Sequence, residues 1–575
     1  MRIVRRLLPF LIILILVSSV WVWWNRPRRV DMAAYAPADS LLYLEANSLP
    51  QLVRGLTKTD GWRALAAPVG LSADLGDMGW IGRITSWTGI GPADTIVYSR
   101  MQVAVVVLGL TAADGGETLN VKPRLALIVE THSSAGRTLA TIEQHVGNFA
   151  RRAYDDLQVE KKDVDGTQWI IWSSPSSDRR IISAIAGSVA IIGNDESAVR
   201  ACQAVRRGDR PSLAGSLELE DARRRLVNDA SLAFGFMSSK GAASLFEVAA
   251  AVYVGQISED PTTQKLSANI LPQIASKLIG SIGWSTRSAN GGIEDAYFIE
   301  VTNDAAARLR ASLAPALPTN VAAFGFLPSN TYSVTHYSTR DALTAWRALS
   351  FSISSPLDPV LAVMVAPFLR ATLRPYGIDE TDSFLQYVGP EIETARIDYA
   401  ENRSVLIVEV RDESALRGFV TKRMGTKTPQ VERVGNTEIL SSTDVSRGAA
   451  SFSDGYLLLG TKDNLRRCLL AKQQESTLSS SGIFSKSLAT ASLTGPSHVF
   501  TFTSDSRQAR DFIIFAARHP ATHGQPFNMH ELDLQIEQLP IAYTKMRFVE
   551  NGIERTTKST FGLLGVLATQ FDTKN

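Results

Sequence analysis

Ser231-Leu-Ala-Phe234-Gly-Phe236-Met-Ser238 and Ser497-His-Val-Phe500-Thr-Phe502-Thr-Ser504 share one pattern, at an offset of 497 − 231 = 266. Phenylalanines alternate with other residues in both, the period-2 signature of a strand with one buried face. Working outward, further segments recur in the same order. Pro37-Ala-Asp-Ser-Leu-Leu-Tyr43 is matched with Pro318-Thr-Asn-Val-Ala-Ala-Phe324 at offset 318 − 37 = 281. Leu127-Ile-Val-Glu130 recurs as Leu406-Ile-Val-Glu409 at offset 406 − 127 = 279. Gly166 is matched with Gly435, Cys202 with Cys468, and Gly292-Ile293-Glu294 with Gly552-Ile553-Glu554. An offset that mostly shrinks is what loop insertions and deletions produce between two copies of one domain.

The length agrees. At 575 residues the chain exceeds what one core supports, about 250–300 residues. With 45% hydrophobic and 20% charged residues it reads as ordinary globular material. Lys+Arg 59 against Asp+Glu 57 leaves a formal charge of +2, so no global field recruits nucleic acid. The basic clusters Arg206-Arg207 and Arg223-Arg224-Arg225 lie in mixed-charge, helix-like segments and read as solvated faces.

The N-terminus carries the second strong signal. Arg2, Arg5 and Arg6 precede an uncharged run from Leu7 to Trp24. Eighteen helical residues reach ~27 Å, close to the ~30 Å of a hydrocarbon core. Trp21, Trp23 and Trp24 close the run where amphipathic rings suit the interface, and Arg26, Arg28 and Arg29 follow. The rival is a cleaved signal peptide with Val17-Ser18-Ser19 as the small-residue site. The uncleaved anchor is preferred, because cleavage would leave a tryptophan-rich soluble terminus.

Each copy reads as strands and helices without a regular βαβ alternation, which argues against a doubly wound parallel sheet. The fold expected is α+β: two tandem homologous domains with largely antiparallel sheets packed by helices, after one N-terminal transmembrane helix. The divisions are 1–33 (tail, anchor and basic flank), 34–302 (first repeat), 303–317 (linker) and 318–575 (second repeat). Ser48 before Leu49-Pro50 predicts a helix start, and Leu49, Leu52, Val53 and Leu56 fall on one face. Val103–Leu110 and Arg124–Thr131 predict strands joined by a polar loop, Thr111–Lys122. Asn290-Gly291-Gly292 predicts a hairpin turn.

A search for chemistry returns little. The chain has no P-loop spacing, no strand-linked GxGxxG, no GxSxG elbow, no SxxK and no HExxH. No catalytic and no cofactor-binding residue is assigned, and no cofactor is expected. The only local histidine cluster holds His519, His523 and His530, with Glu531 and Asp533 close by. These are the candidate metal ligands, but Pro520 denies His519 and His523 one regular helix face, and the first copy has no counterpart. A solvated loop is the plainer reading. Glu130 and Glu409 end equivalent strands, which fits acids or bases and, more simply, strand-end carboxylates reaching water. Trp169 and Trp172 fit an apolar groove or, more simply, core and edge packing. The two cysteines sit at equivalent places, where they read as buried hydrophobes and not as a disulfide.

Pro37–Tyr43, the strand ending in Glu130 with its following helix, Gly187–Ile192 leading into Asp195–Arg206, and Ser212–Ala214 together resemble a family. The pattern is similar to the bacterial envelope proteins grouped as domain of unknown function 3352. The resemblance implies an anchored, repeated α+β ectodomain; with the Leu7–Trp24 run, the localisation expected is the inner membrane, single-pass, with the bulk periplasmic or otherwise extracytoplasmic. It carries no catalytic residues. Expected partners are membrane lipid through the N-terminal helix and an envelope protein or apolar ligand, with the groove between the repeats as the place to bind it. The function expected is non-enzymatic binding or scaffolding. The alternative is an envelope hydrolase or metal-dependent enzyme with a site assembled from distant segments.

Overall fold

The computed structural model describes residues 29–76, 97–114, 119–257, 272–317, 322–357, 371–400, 405–424, 429–444, 447–518 and 527–570, with isolated positions between 362 and 369. The Leu7–Trp24 run lies outside them. No described helix is long and apolar enough to cross a membrane.

The first half contributes β1 (Leu42–Ala46), β2 (Gln102–Asp114), β3 (Leu119–Glu130), β4 (Gln158–Val164), β5 (Thr167–Ser174), β6 (Ser177–Ala186), β7 (Val189–Gly193), β8 (Ser231–Met237), β9 (Ile279–Ala289) and β10 (Gly292–Val301). The second contributes β11 (Ser333–Ser338), β12 (Val388–Arg396), β13 (Val405–Val410), β14 (Gln430–Val434), β15 (Thr437–Ser441), β16 (Ala449–Ser453), β17 (Tyr456–Gly460), β18 (Val499–Thr503), β19 (Ala542–Val549) and β20 (Gly552–Ser559). The first ten run β4-β5-β6-β7-β3-β2-β1-β8-β9-β10 across the sheet. The second ten repeat that plan as β14-β15-β16-β17-β13-β12-β11-β18-β19-β20. Every pairing among the described residues is antiparallel, and helices cover the sheet, an α+β architecture.

The halves meet edge to edge through β10 and β20. Ala296 faces Thr556, Ile293 faces Ser559, and Ile299 faces Ile553. With Gly292 and Gly552 as equivalents, that register is symmetric about the Ala296–Thr556 pair, as in an isologous dimer interface. The expectation of a groove here is corrected. Trp62, Leu65, Val69 and Leu75 of the first half share a buried cluster with Phe512, Ile513, Leu532 and Phe561 of the second. Asp295 on β10 is buried and accepts hydrogen bonds from Trp284 Nε1 (3.0 Å) and from Leu563 N of the second half (2.8 Å).

Local chemistry explains the elements. Ser48 caps the helix Leu49–Thr57 by accepting from Gln51 N at 3.3 Å. Asn290 and Gly291 both have positive φ, the type I′ pair that joins β9 to β10. The segment Thr111–Lys122 differs from the expected loop: β2 continues to Asp114 and β3 starts at Leu119. Backbone pairing extends past the point where apolar alternation stops. Between β4 and β5 the turn is Asp165-Gly166, both with positive φ; between β14 and β15 it is Gly435-Asn436, where Gly435 alone has positive φ. Gly435 therefore stands where Asp165 does, one residue off the match to Gly166. The two hairpins use different turn types for one register.

The match of Pro37 moves as well. Pro37 bridges Ser212, and Pro328 bridges Thr477. Ser40 Oγ donates to the Pro37 carbonyl, and Thr331 Oγ1 donates to the Pro328 carbonyl at 2.7 Å. The 3-10 turns Met32–Tyr35 and Ala322–Phe326 precede these motifs, so Phe324 belongs to the turn and not to the strand. The correct offset is 328 − 37 = 291. A hydroxyl three residues after proline closes this turn, and that residue, more than the apolar run, marks the equivalent site. The 303–317 linker holds a helix, Asn303–Ser312, that packs against the helix Ala342–Ser354.

Candidate functional site

The chemistry-bearing side chains collect on one face of the sheet, at matching stations in the two halves. In the first, Tyr43 and Glu45 point the same way from β1. Tyr43 Oη donates to Glu45 Oε2 at 2.7 Å. Arg223, from the helix Leu217–Leu226, reaches Glu45 Oε2 at 3.0 Å and Asp31 Oδ1 at 2.9 Å. Its guanidinium lies over the rings of Tyr43 and Phe234. Burial raises the Glu45 carboxyl above its ordinary range, opposed by the Arg223 charge and the tyrosine hydroxyl.

Glu45 faces Phe234 across the ladder, and His336 faces Phe500, so His336 stands in the station of Glu45. His336 Nδ1 hydrogen-bonds Glu393 Oε1 at 2.8 Å, and Nε2 hydrogen-bonds Ser338 Oγ at 3.1 Å. Beside them Tyr456 Oη donates to Glu391 Oε2 at 3.1 Å, and Glu409 pairs with Tyr456 in the β13–β17 ladder. Burial raises the Glu393 carboxyl; the His336 contact opposes this, and the charges of Glu391 and Glu409 reinforce it.

Serine, histidine and carboxylate in that order have the connectivity of an acyl-transfer relay. The surroundings oppose the chemistry. Glu391 lies directly across from Ser338, and the Ser338 N–H donates to the His498 carbonyl. Attack of this hydroxyl on a carbonyl would raise an oxyanion on the carbonyl oxygen beside a carboxylate, where catalysis requires free N–H donors. Ser338, His336 and Glu393 are all buried. The chain of bonds serves to seat a histidine inside the sheet.

The residues singled out from sequence are placed as follows. Glu130 is buried at the end of β3 and accepts from His132 N at 2.8 Å, so it does not reach water. Glu409 lies among the second-half carboxylates. Cys202 and Cys468 are buried and unbridged, and burial pushes both thiols up to about 12. His519 and His523 lie outside the described residues; His530 is exposed on the helix Met529–Glu537. Among the described residues no group of three histidines, cysteines or carboxylates is set to hold a metal. Trp169 and Trp172 are buried in separate clusters on opposite faces of β5. Phe234, Phe236, Phe500 and Phe502 are all core.

The sequence search passed over Glu45, Arg223, His336, Ser338 and Glu393. One signal was available: Tyr43-x-Glu45, His336-x-Ser338 and Glu391-x-Glu393 each place polar groups in phase with the buried side of an alternating strand. At the seam between the halves a cavity of about 60 Å³ remains, lined by Asp60, Gly291, Ser487, Tyr543 and Lys558 among others. That volume has room for a few waters and not for a polypeptide. A wider groove of about 400 Å³ runs past Arg417, Arg433 and Phe452. Glu413 pairs with Arg417 (2.7 Å) and Glu438 with Arg433 (2.9 Å), which quenches it as an anion site. Comparison of the chain with family models, with curated proteins and with solved structures finds no match.

Proposed function

We propose that this protein is a membrane-anchored envelope protein with a non-enzymatic binding or scaffolding role. In this reading it is built from two homologous α+β domains of the family grouped as domain of unknown function 3352. The observation that carries the non-enzymatic reading is the electrostatics of the Ser338–His336–Glu393 chain, whose carboxylate neighbours disfavour an oxyanion. The common pairing plan and the symmetric β10–β20 register support descent from one duplicated unit. The anchor is Leu7–Trp24, and the bulk of the chain lies outside the cytoplasm.

The hydrolase alternative has one observation in its favour, the relay connectivity itself. A fluorophosphonate probe on the full-length protein separates the two readings. The expected result is no labelling above a Ser338→Ala control. Stoichiometric labelling lost in that variant would establish the hydrolase. Fractionation with a carbonate wash tests the anchor: the full-length chain stays with the membrane, and its release would defeat that part.

A further inference from the structure

The first described residues of the chain are fastened down. Val30 N donates to Gln102 Oε1 at 2.9 Å, and Gln102 Nε2 donates back to Val30 O at 2.9 Å. The Gln102 amide, itself buried, also donates to Asn47 Oδ1 (2.8 Å) and bonds His132 Nε2 (2.9 Å). One residue on, Asp31 is held by Arg223, and Met32 and Ala33 are fully buried. A side-chain amide that pairs with both polar groups of one backbone residue acts as a one-residue strand partner. The chain is therefore clasped at Val30 and has no slack beyond it.

Only Asn25–Arg29 separate Trp24 from the clasp. Six residue steps span at most about 22 Å fully extended. Headgroups occupy roughly 5–7 Å of that on each side of the hydrocarbon. The clasp sits at the start of β2 and the end of β1, beside the end of β3. The β2–β3 hairpin runs the other way; nine residues from Gln102 to Thr111, which pairs with Lys122, carry it roughly 30 Å off. Arg29, Arg100 and Arg137 lie within a few residues of this end along the chain, and the exposed Asp163 and Asp165 of the β4–β5 turn lie at the same end of the sheet.

We infer that the clasp end of the first half, with Asn47 and His132–Ser134, is held against the bilayer surface by a tether too short to let the body turn over. This rests on the reading of Leu7–Trp24 as a membrane span. The lipid-facing end is polar and carries both signs of charge, suited to the headgroup layer and not to the hydrocarbon. The β2–β3 hairpin then points away from the membrane, toward other components of the envelope.

The test uses the full-length chain in vesicles of phosphatidylcholine and phosphatidylglycerol. Ser134 is exposed and makes no side-chain cap bond, and Lys122 is exposed; each is replaced by cysteine and labelled, the native thiols being buried. Headgroup-spin-labelled lipid should quench the Ser134→Cys label at least two-fold more than the Lys122→Cys label. Inserting twelve Gly/Ser residues between Arg28 and Arg29 should erase that contrast without changing the thermal transition. Equal quenching at both positions in protein that floats with the vesicles overturns the orientation while the anchor stands. Protein that fails to float overturns the anchor and the orientation with it. A contrast that survives the insertion overturns the tether as its cause.

Discussion

In the first half Glu45 reaches from β1 across to Arg223 on a helix; in the second, His336 at the same station reaches sideways to Glu393 on β12. The partner decides what each pair organises. Arg223 ties a helix to the sheet and, through Asp31, ties down the start of the folded chain. In the second half the corresponding helix, Gly482–Ser492, meets the core with Phe484 and Leu488 and needs no charge. The polar pair there joins two neighbouring strands. Both arrangements specify register: slipping either strand by one residue would turn Glu45 or His336 to the opposite face. The two halves thus place a buried ionisable group at the same register position with different chemistry.

The strongest challenge to treating the halves as comparable units comes from their common core. Phe512→Ala should cost about 4 kcal/mol, the range of a buried phenylalanine truncation. Chemical denaturation followed by probes in each half should show both transitions moving together. Movement of the second-half probe alone would mean two independent domains.

Arg223→Met should cost about 3 kcal/mol at pH 8, because it leaves Glu45 buried without its cation. The Glu45 carboxyl is already raised in the folded state and would rise further. A raised carboxyl contributes stability below its unfolded value, near 4.3, and that contribution is lost as pH climbs through the folded value. The deficit should therefore shrink at pH 4. An equal deficit at both pH values would assign the loss to packing against Tyr43 and Phe234.

His336→Leu is the counterpart and should cost about 2 kcal/mol at pH 8, with the same sign of pH dependence through Glu393. Adding Glu393→Leu should recover most of it, since exchanging both members of a buried pair for apolar groups is often neutral. If the double variant is no better than the single one, the pair supports more than its own register.

The smallest effect is expected where the halves agree. Cys202→Ala and Cys468→Ala should each cost about 1 kcal/mol, a typical value for a small buried truncation. Ellman's reagent should find both thiols only after unfolding. Rapid reaction of either in the folded protein would show that the two helices are not equivalent.

Sequence alone determined the parts that depend on local pattern. The Phe234/Phe236 and Phe500/Phe502 alternation, the Leu-Ile-Val-Glu strands, the Ser48 cap and the Asn290-Gly291 turn were legible because side-chain period and turn sterics act over a few residues. Composition and spacing also excluded nucleotide-binding loops and zinc-protease helices. Registration between the halves was legible only in part. Pro37 was matched with Pro318 although Pro328 is its equivalent, and the hydroxyl of Thr331, which decides, carries its meaning through a hydrogen bond that a string of letters does not display.

The tertiary structure decided what distance in the chain conceals. Glu45 and Arg223 are 178 residues apart, and His336 and Glu393 are 57 apart. The closure of the seam by Phe512 and Phe561 against Trp62 depends on β10 finding β20. Each such contact forms only when strands pair, and their pairing is set by the burial of whole faces, a sum over the chain that no local window contains.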